Sequence, residues 1–409
     1  MNKELLRINN KETAVQISNN SIKAIKNKDI VKVGARIYDK GLIGVSGQYG
    51  DDNVEDILKK AENNLRLNIK YPCDISKNIN INVKDETVKL DDAIIHQTEE
   101  FVDELSSLVK ELGFVASGTI NISEEEVKIT NDENLSCSMM RKSLDILIIL
   151  KEIGSANIFD TGYSLSTKRF DKDLMLKEIG NMCRAHKNPV EVPVNEEGKV
   201  RCIFTEDSDI LKFFINELRG ERIGTKSSFF NNKFGEKLFG ENVTLYLENN
   251  LEERGLPFDY EGTLIKGEDE PLIKNGVLEI GYADKRTAEK YDLKNTGSGF
   301  GDFNGVPELM APNITLKRGE KTLSELLDGK PSILVVECGG GDFTSDGGYG
   351  TPVQVAYVFD GEKLIGRIPE ISIKSNIYDM YGKDFVGVPK DNLNSISLSK
   401  LVVIDMKVN

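Results

Sequence analysis

The stretch TAVQISNNSIKAIKNKDIVKVGARIYDKGLIGVSG (residues 13–47) decides how the first half of the chain is read. Val15 and Ile17, then Val31, Val33, Ala35 and Ile37, alternate with polar residues at period two, the pattern of half-buried strands. Asp39, Lys40 and Gly41 form a turn, and residues 42–45 return as the next strand. Just beyond, Val54, Ile57, Leu58, Ala61 and Leu65 fall on one face of a helix. The spacing predicts antiparallel strands capped by a helix.

Further along, residues 89–112 read as a second helix, with Ile94, Ile95, Phe101, Val102, Leu105, Leu108, Val109 and Leu112 on its apolar stripe. Strands return at 118–123, 126–130 and 144–150, and residues 131–134 make a turn. Residues 171–183 read as a helix with Met175, Leu176, Ile179 and Met182 buried. The run NPVEVPVNEEGK (188–199) has the prolines, acids and glycine of a linker. After it come a strand at 200–205 and a helix at 209–219. From residue 224 onward glycines are frequent, helices rare and strands short. The fold class expected is α+β in two domains. Residues 1–196 hold antiparallel strands with helices, in subregions of about 12–70 and 88–187. Residues 197–409 are strand-rich and mostly antiparallel.

Bulk composition agrees. A chain of 409 residues is too long for one ordinary core. A net charge of −14, with basic residues interleaved among acids, argues against a nucleic-acid partner, which needs clustered Lys and Arg. The longest apolar run, residues 146–150 beside Leu144, is far short of the roughly 20 residues that span a bilayer. The opening MNKELLRINNKETAV lacks the apolar core of a signal peptide, and Cys73, Cys137, Cys183, Cys202 and Cys338 are odd in number and scattered. A reducing cytoplasm is expected.

Catalytic chemistry is conspicuously thin. Zinc sites on helices use two histidines one turn apart, and the whole chain has only His96 and His186. His96 shares a polar helix face with Asp92, Glu99 and Asp103, as a solvated histidine does. His186 closes a predicted helix, where a cation suits the dipole. A serine triad would need one of the same two rings, and no GxSxG elbow occurs. Carboxylate-only metal sites stay open.

The passage ILVVECGGGDFTSDGGYGTPVQVAYVFDGEKLIG (333–366) is the most unusual. It is not a phosphate loop, because no helix follows the glycines. Gly339, Gly340 and Gly341 before a hairpin imply bulges or a close backbone approach, to the chain itself or to an extended peptide added as a strand. Cys338 has Glu337 and Asp342 as neighbours and no local positive charge, the setting of an inert thiol.

Several passages, in order and at matching intervals, resemble one family, the TldD/PmbA (TldE) proteins, once called modulators of DNA gyrase and described as peptidases. They are residues 13–47, EEEVKITNDENLSCSMMRKS (124–143), GTKSSFF (224–230), LPFDYEGT (256–263), IKNGVLEIGYADKRTAEKY (273–291), NTGSGFG (295–301) and EISIKSNIYDM (370–380). The resemblance covers nearly the whole chain. TldD-type members carry an HExxxH stretch ahead of the GTS-like segment and a cysteine after the glycine-rich strand. Here DILKFFINELRGERIGTKSS (209–228) has no histidine and SDGGYGTPVQVAY (345–357) no cysteine. The resemblance therefore implies a TldE/PmbA-type subunit that holds no cofactor and pairs with a zinc-bearing TldD-type protease subunit, or with itself. The pair would process unfolded or leader peptides in a closed cavity. Asp259 and Glu261 would lie near that cavity, with Asp259 equally readable as a turn-former; Cys338, Gly339, Gly340, Gly341 and Asp342 complete the substrate-groove candidates. A stand-alone hydrolase acting as a homodimer and a non-catalytic peptide-binding protein are the rival expectations.

Overall fold

The computed structural model describes residues 1–50, 52–88, 93–157, 159–207 and 209–409. The first half is built on four long strands: β1 (Asn2–Ser18), β2 (Ser21–Asp39), β5 (Phe114–Asn131) and β6 (Leu135–Glu152). With β3 (Leu42–Tyr49), β4 (Ile79–Lys84) and β7 (Thr161–Thr167) they form one sheet, ordered β3-β2-β1-β5-β6. Strands β4 and β7 share the outer edge of β6, one parallel and one antiparallel. The β1–β2 hairpin turns on Asn19 and Asn20, with φ of 50° and 65°. Asparagine tolerates the left-handed region that such two-residue turns require.

The long strands differ from the shorter ones that the apolar pattern predicts, and the reason is a change of buried face. In β1, Leu6 and Ile8 are buried near the start, then Val15 and Ile17 near the end. The parity of these residues differs, so they point to opposite faces of the sheet. Val15 and Ile17 join Ile120, Ile146 and Ile148 under α2 (Ile94–Glu111) and α3 (Lys172–His186). Leu6 and Ile8 join Val127, Ile129 and Met139 on the other face, where Leu251 and Phe258 of the second half cover them. A strand of 17 residues, on the order of 55 Å long, thus serves two cores. Where one burial pattern stops and the other begins, the alternation breaks, and residues 118–123 and 126–130 read as separate strands although they are one. The helix expected from residue 89 starts, within the described residues, at Ile94; residues 89–92, Asp92 among them, lie outside the description.

Helix α1 (Val54–Asn64) packs on the remaining end of the sheet through Ile57 and Ala61, against Val33, Ala35 and Ile37. After residue 187 an irregular run leads to β8 (Lys199–Thr205), which opens a closed ring of strands. Strand Ser332–Cys338 runs parallel to β8, β8 pairs antiparallel with Leu401–Val408, that with Ile371–Asn376, that with Gly348–Phe359, and the last pairs back on Ser332–Cys338. One face of the ring shares a core with Phe213, Phe214 and Phe230. On the other face, Ile203, Leu334 and Val403 meet the short helix Leu323–Leu327. The architecture is α+β with mostly antiparallel sheets.

The two halves are bolted together by buried polar groups. Lys168, at the end of β7, forms an ion pair with Asp85 and donates to the carbonyls of Leu251 (2.7 Å) and Glu252 (2.9 Å) in the second half. The side chains of Lys168 and Asp85 are 8% and 0% exposed. Replacing Lys168 with Met leaves a buried carboxylate without its cation, which typically costs about 3–5 kcal/mol. Chemical denaturation of Lys168→Met is therefore expected to show a loss of that size. A loss under about 1 kcal/mol would mean that Lys168 does not hold the halves together.

Candidate functional site

The segment LPFDYEGT folds as a tight turn that presses on the sheet of the first half. Asp259 is the turn-former: its Oδ1 accepts from the backbone of Glu261 (2.9 Å) and Thr263 (2.8 Å), and its Oδ2 from Gly299 (2.9 Å). Glu261 accepts from the Tyr71 hydroxyl and from the Lys285 backbone (3.0 Å), while Lys285 Nζ donates to Ser76 (2.9 Å). Gly299 must be glycine, because a Cβ there would stand 2.4 Å from the Glu261 carboxylate. On the sheet beneath, Glu4 and Arg36 are direct cross-strand partners and form an ion pair at 3.1 Å, both 1% exposed. Arg36 also donates to the carbonyl of Tyr260, and the Tyr38 hydroxyl donates to Glu4 at 2.9 Å.

Buried carboxylates placed this close together have a predictable electrostatic result. Burial, then the charge of Glu261, pushes the Asp259 carboxyl up to about 8, against the pull of its backbone donors. Burial raises Glu261 as well. Asp259 is 0% and Glu261 1% exposed, and neither lines a described cavity. They act as pins.

What the pins hold is Tyr260. With its neighbours turned inward, Tyr260 points out, its ring against Phe300 at 5.2 Å between centroids. It lines a cavity of about 600 Å³ with Leu256, Phe300, Met310, Ala311 and Pro312. Leu256 and Pro312 also border a second cavity of about 530 Å³, so the two adjoin as one trough, whose Tyr260 end is walled by the second half and whose other end lies between the halves. The far end is charged but self-paired: Arg141 with Glu125 (2.6 Å), Lys142 with Glu124 (2.9 Å) and Arg254 with Asp207 (3.2 Å). Sequence reasoning singled out the acids of LPFDYEGT and missed the aromatic between them. The available signal was the small-residue spacing Asp-Tyr-Glu-Gly, which puts alternate side chains on opposite sides of a turn.

The glycine-rich candidates lie elsewhere. Strands Ser332–Cys338 and Asp342–Phe343 pair along one edge of Gly348–Phe359, with Gly339, Gly340 and Gly341 as the irregular step between them. Strands Ile371–Asn376 and Leu364–Arg367 occupy the other edge. The close approach is to the chain itself: a Cβ on Gly341 would come within 2.4 Å of Thr351. Cys338 is half-buried, and burial raises its thiol, so it stays protonated. Asp342 is exposed and pairs with Lys212 at 3.2 Å. The structure does not bring these residues to Asp259 or Glu261 in any described cavity.

Comparison with known proteins now bears on the trough. Residues 197–409 match the PmbA/TldA metallopeptidase C-terminal domain. The chain belongs to the TldD/PmbA family. It is similar to a metalloprotease of Methanocaldococcus jannaschii, 25% identical over 46% of this chain and 43% of that protein. It is also similar to a PmbA-homologue metalloprotease of Haemophilus influenzae, 25% identical over 61% of this chain and 54% of that protein. The chain thus aligns with about half the length of these relatives. Its fold matches that of TldE from Thermococcus kodakarensis, with a TM-score of 0.77 at 16% identity, over all of this chain and 96% of the other.

A metallopeptidase family implies a divalent metal, and the donors among the described residues do not fit one. His96 is exposed, beside Glu99 and Glu100. His186, expected as a cationic cap, is instead buried edge-on to Phe114, and burial together with Arg367 lowers its pKa and keeps it neutral. Cys183 is pushed up to about 12 by burial. The helix Lys212–Glu217 carries Phe213 and Phe214, which pack on Phe230. Glu217 is committed to the Phe229 backbone (2.7 Å) and Arg222 (3.0 Å). Among the described residues no three His, Cys, Asp or Glu side chains gather as a metal would require.

The pins make a pH prediction. Both acids are raised in the folded state, so between about 4 and the folded values the native chain holds more protons than the unfolded one, and stability falls as pH rises. Glu261→Gln removes the second cause of the Asp259 shift. Urea midpoints measured from pH 5 to 8 are expected to fall more steeply for the parent chain than for Glu261→Gln. Parallel curves would show that the two carboxyls do not sense each other.

Proposed function

We propose that this chain is a TldE/PmbA-type subunit of a peptide-processing metalloprotease: it pairs with a zinc-bearing TldD-type subunit and supplies wall, not metal. The observation that carries this is the family membership of residues 197–409 together with an aromatic helix, Phe213 and Phe214, where a ligand pair would be needed. The trough between the halves is the part of that wall that meets an extended peptide. Its Tyr260–Phe300 end offers a large apolar contact, and its self-paired charged end offers hydrogen bonds without a net field. Asp259 and Glu261 serve the substrate indirectly, by fixing the turn that presents Tyr260.

The test is reconstitution. Purified chain, a TldD-type subunit, Zn²⁺ and an unfolded peptide are combined, and cleavage is expected to exceed that by the TldD-type subunit alone. Tyr260→Ala removes an aromatic contact that is typically worth about 0.5–1.5 kcal/mol. It is expected to raise KM of the reconstituted pair about 2- to 12-fold with kcat little changed. An assembly no faster than the partner alone would end the subunit reading.

A further inference from the structure

The cavity of about 260 Å³ between α3, β7 and the strand ring shares only Asp207 with the trough and nothing with the pinned turn. Tyr163, Leu165, Met182, Leu334, Phe359 and Leu401, each no more than 8% exposed, make the apolar part of its wall, and Ser164, Asn181 and Ser397 are among its polar lining. A cavity of ~150 Å³ is already large enough for benzene. Set in the wall is the carboxylate of Glu178 of α3. Its two hydrogen bonds, from the Tyr163 hydroxyl (2.7 Å) and Asn394 Nδ2 (3.0 Å), both fall on Oε2. Among the described residues Oε1 accepts none, and no cation forms an ion pair with this group. The other acids on the lining are Asp207, already paired with Arg254, and Glu362; Lys363 is the basic residue there. Burial raises Glu178, as a desolvated carboxylate without a counter-ion must be.

We propose that this cavity is a binding site for a small primary ammonium with an apolar tail, the ammonium meeting Glu178 Oε1 and the tail filling the space between Phe359 and Met182. A hydrocarbon alone would leave the carboxylate desolvated and unpaired, and an anion would be repelled by it. The cavity admits a phenyl ring with a two-carbon arm. The same chemistry occurs in a free aryl- or alkylamine and at the amino end of a peptide that begins with a large apolar residue. The site meets the trough only at Asp207 and does not depend on the subunit reading.

Calorimetric titration of the full chain at pH 7 with 2-phenylethylamine, 2-phenylethanol and 3-phenylpropionate tests it. The amine is expected to bind at least ~10-fold more tightly than the alcohol, and the acid not at all. Glu178→Gln, which keeps an acceptor for Tyr163, is expected to erase the preference of amine over alcohol. Leu364→Trp, which narrows the rim, is expected to weaken both, and it keeps the question answerable should Glu178→Gln unfold. Phenylalanylglycinamide binding more tightly than 2-phenylethylamine would assign the site to peptide amino ends, and the reverse order to free amines. Equal affinity for amine and alcohol, or an amine preference that survives in Glu178→Gln, overturns the proposal; so does failure of the amine to bind at millimolar concentration.

Discussion

The contact on which the rest of the molecule leans is the grip of Arg36 on the carbonyl of Tyr260. Arg36 reaches it from the middle of a sheet, paired across the strands with Glu4 and removed from water. A guanidinium in that position is tolerable only while every partner stays in place, because each lost acceptor leaves a desolvated charge. The same condition fixes the register of β1 on β2, since a slip of one residue would turn Glu4 and Arg36 to the other face. It also sets how close the second half can come. Gly34, two residues before Arg36, lies directly under the Phe303 backbone, and a Cβ there would stand 1.8 Å from the Phe303 carbonyl oxygen. One charge pair and one missing side chain thus determine where the trough opens.

That arrangement explains why the sequence was legible in some places and opaque in others. Helices α1, α2 and α3 could be read because each buries a single stripe, and Ile57, Ala61, Phe101, Leu105, Met175 and Ile179 lie on the faces their spacing implies. The long strands could not, because Leu6 and Ile8 face one core and Val15 and Ile17 another. A period-two pattern records only that one face is apolar locally; it carries no notice that the partner layer changes along the strand. The strand ring was opaque for a related reason. Closure between Ser332–Cys338 and Gly348–Phe359 is local, but the pairing of β8 with Leu401–Val408 spans most of the second half.

The candidate site was half legible. LPFDYEGT stood out, and the structure gives it a central place, yet the charged residues that drew attention are consumed by the fold. An aspartate that accepts three backbone N–H groups is satisfied, and a satisfied buried acid has nothing left to offer a substrate. His186 makes the same point from the other side. At the end of α3 a protonated ring would gain from the helix dipole, a term of about 0.3–1 kcal/mol at exposed sites. Burial against Phe114 and the adjacent Arg367 oppose the charge and prevail. Position along a helix is visible in sequence, whereas what packs over its end is not.

The aromatic cluster carries this reasoning to its end. Phe213, Phe214, Phe229, Phe230, Phe239 and Phe343 interlock around helix Lys212–Glu217 with ring centroids 5.2 to 6.2 Å apart. Rings at these separations interact favourably beyond the area they bury. A metal centre needs the opposite environment: lone pairs aimed at one point, a second shell to orient them, and an open coordination position. Converting one into the other would require removing several rings and leaving voids, each a loss of packing as well as of contact. The segment is therefore built to be solid. Its rings are spent on packing, whereas the trough that Tyr260 faces keeps open surface.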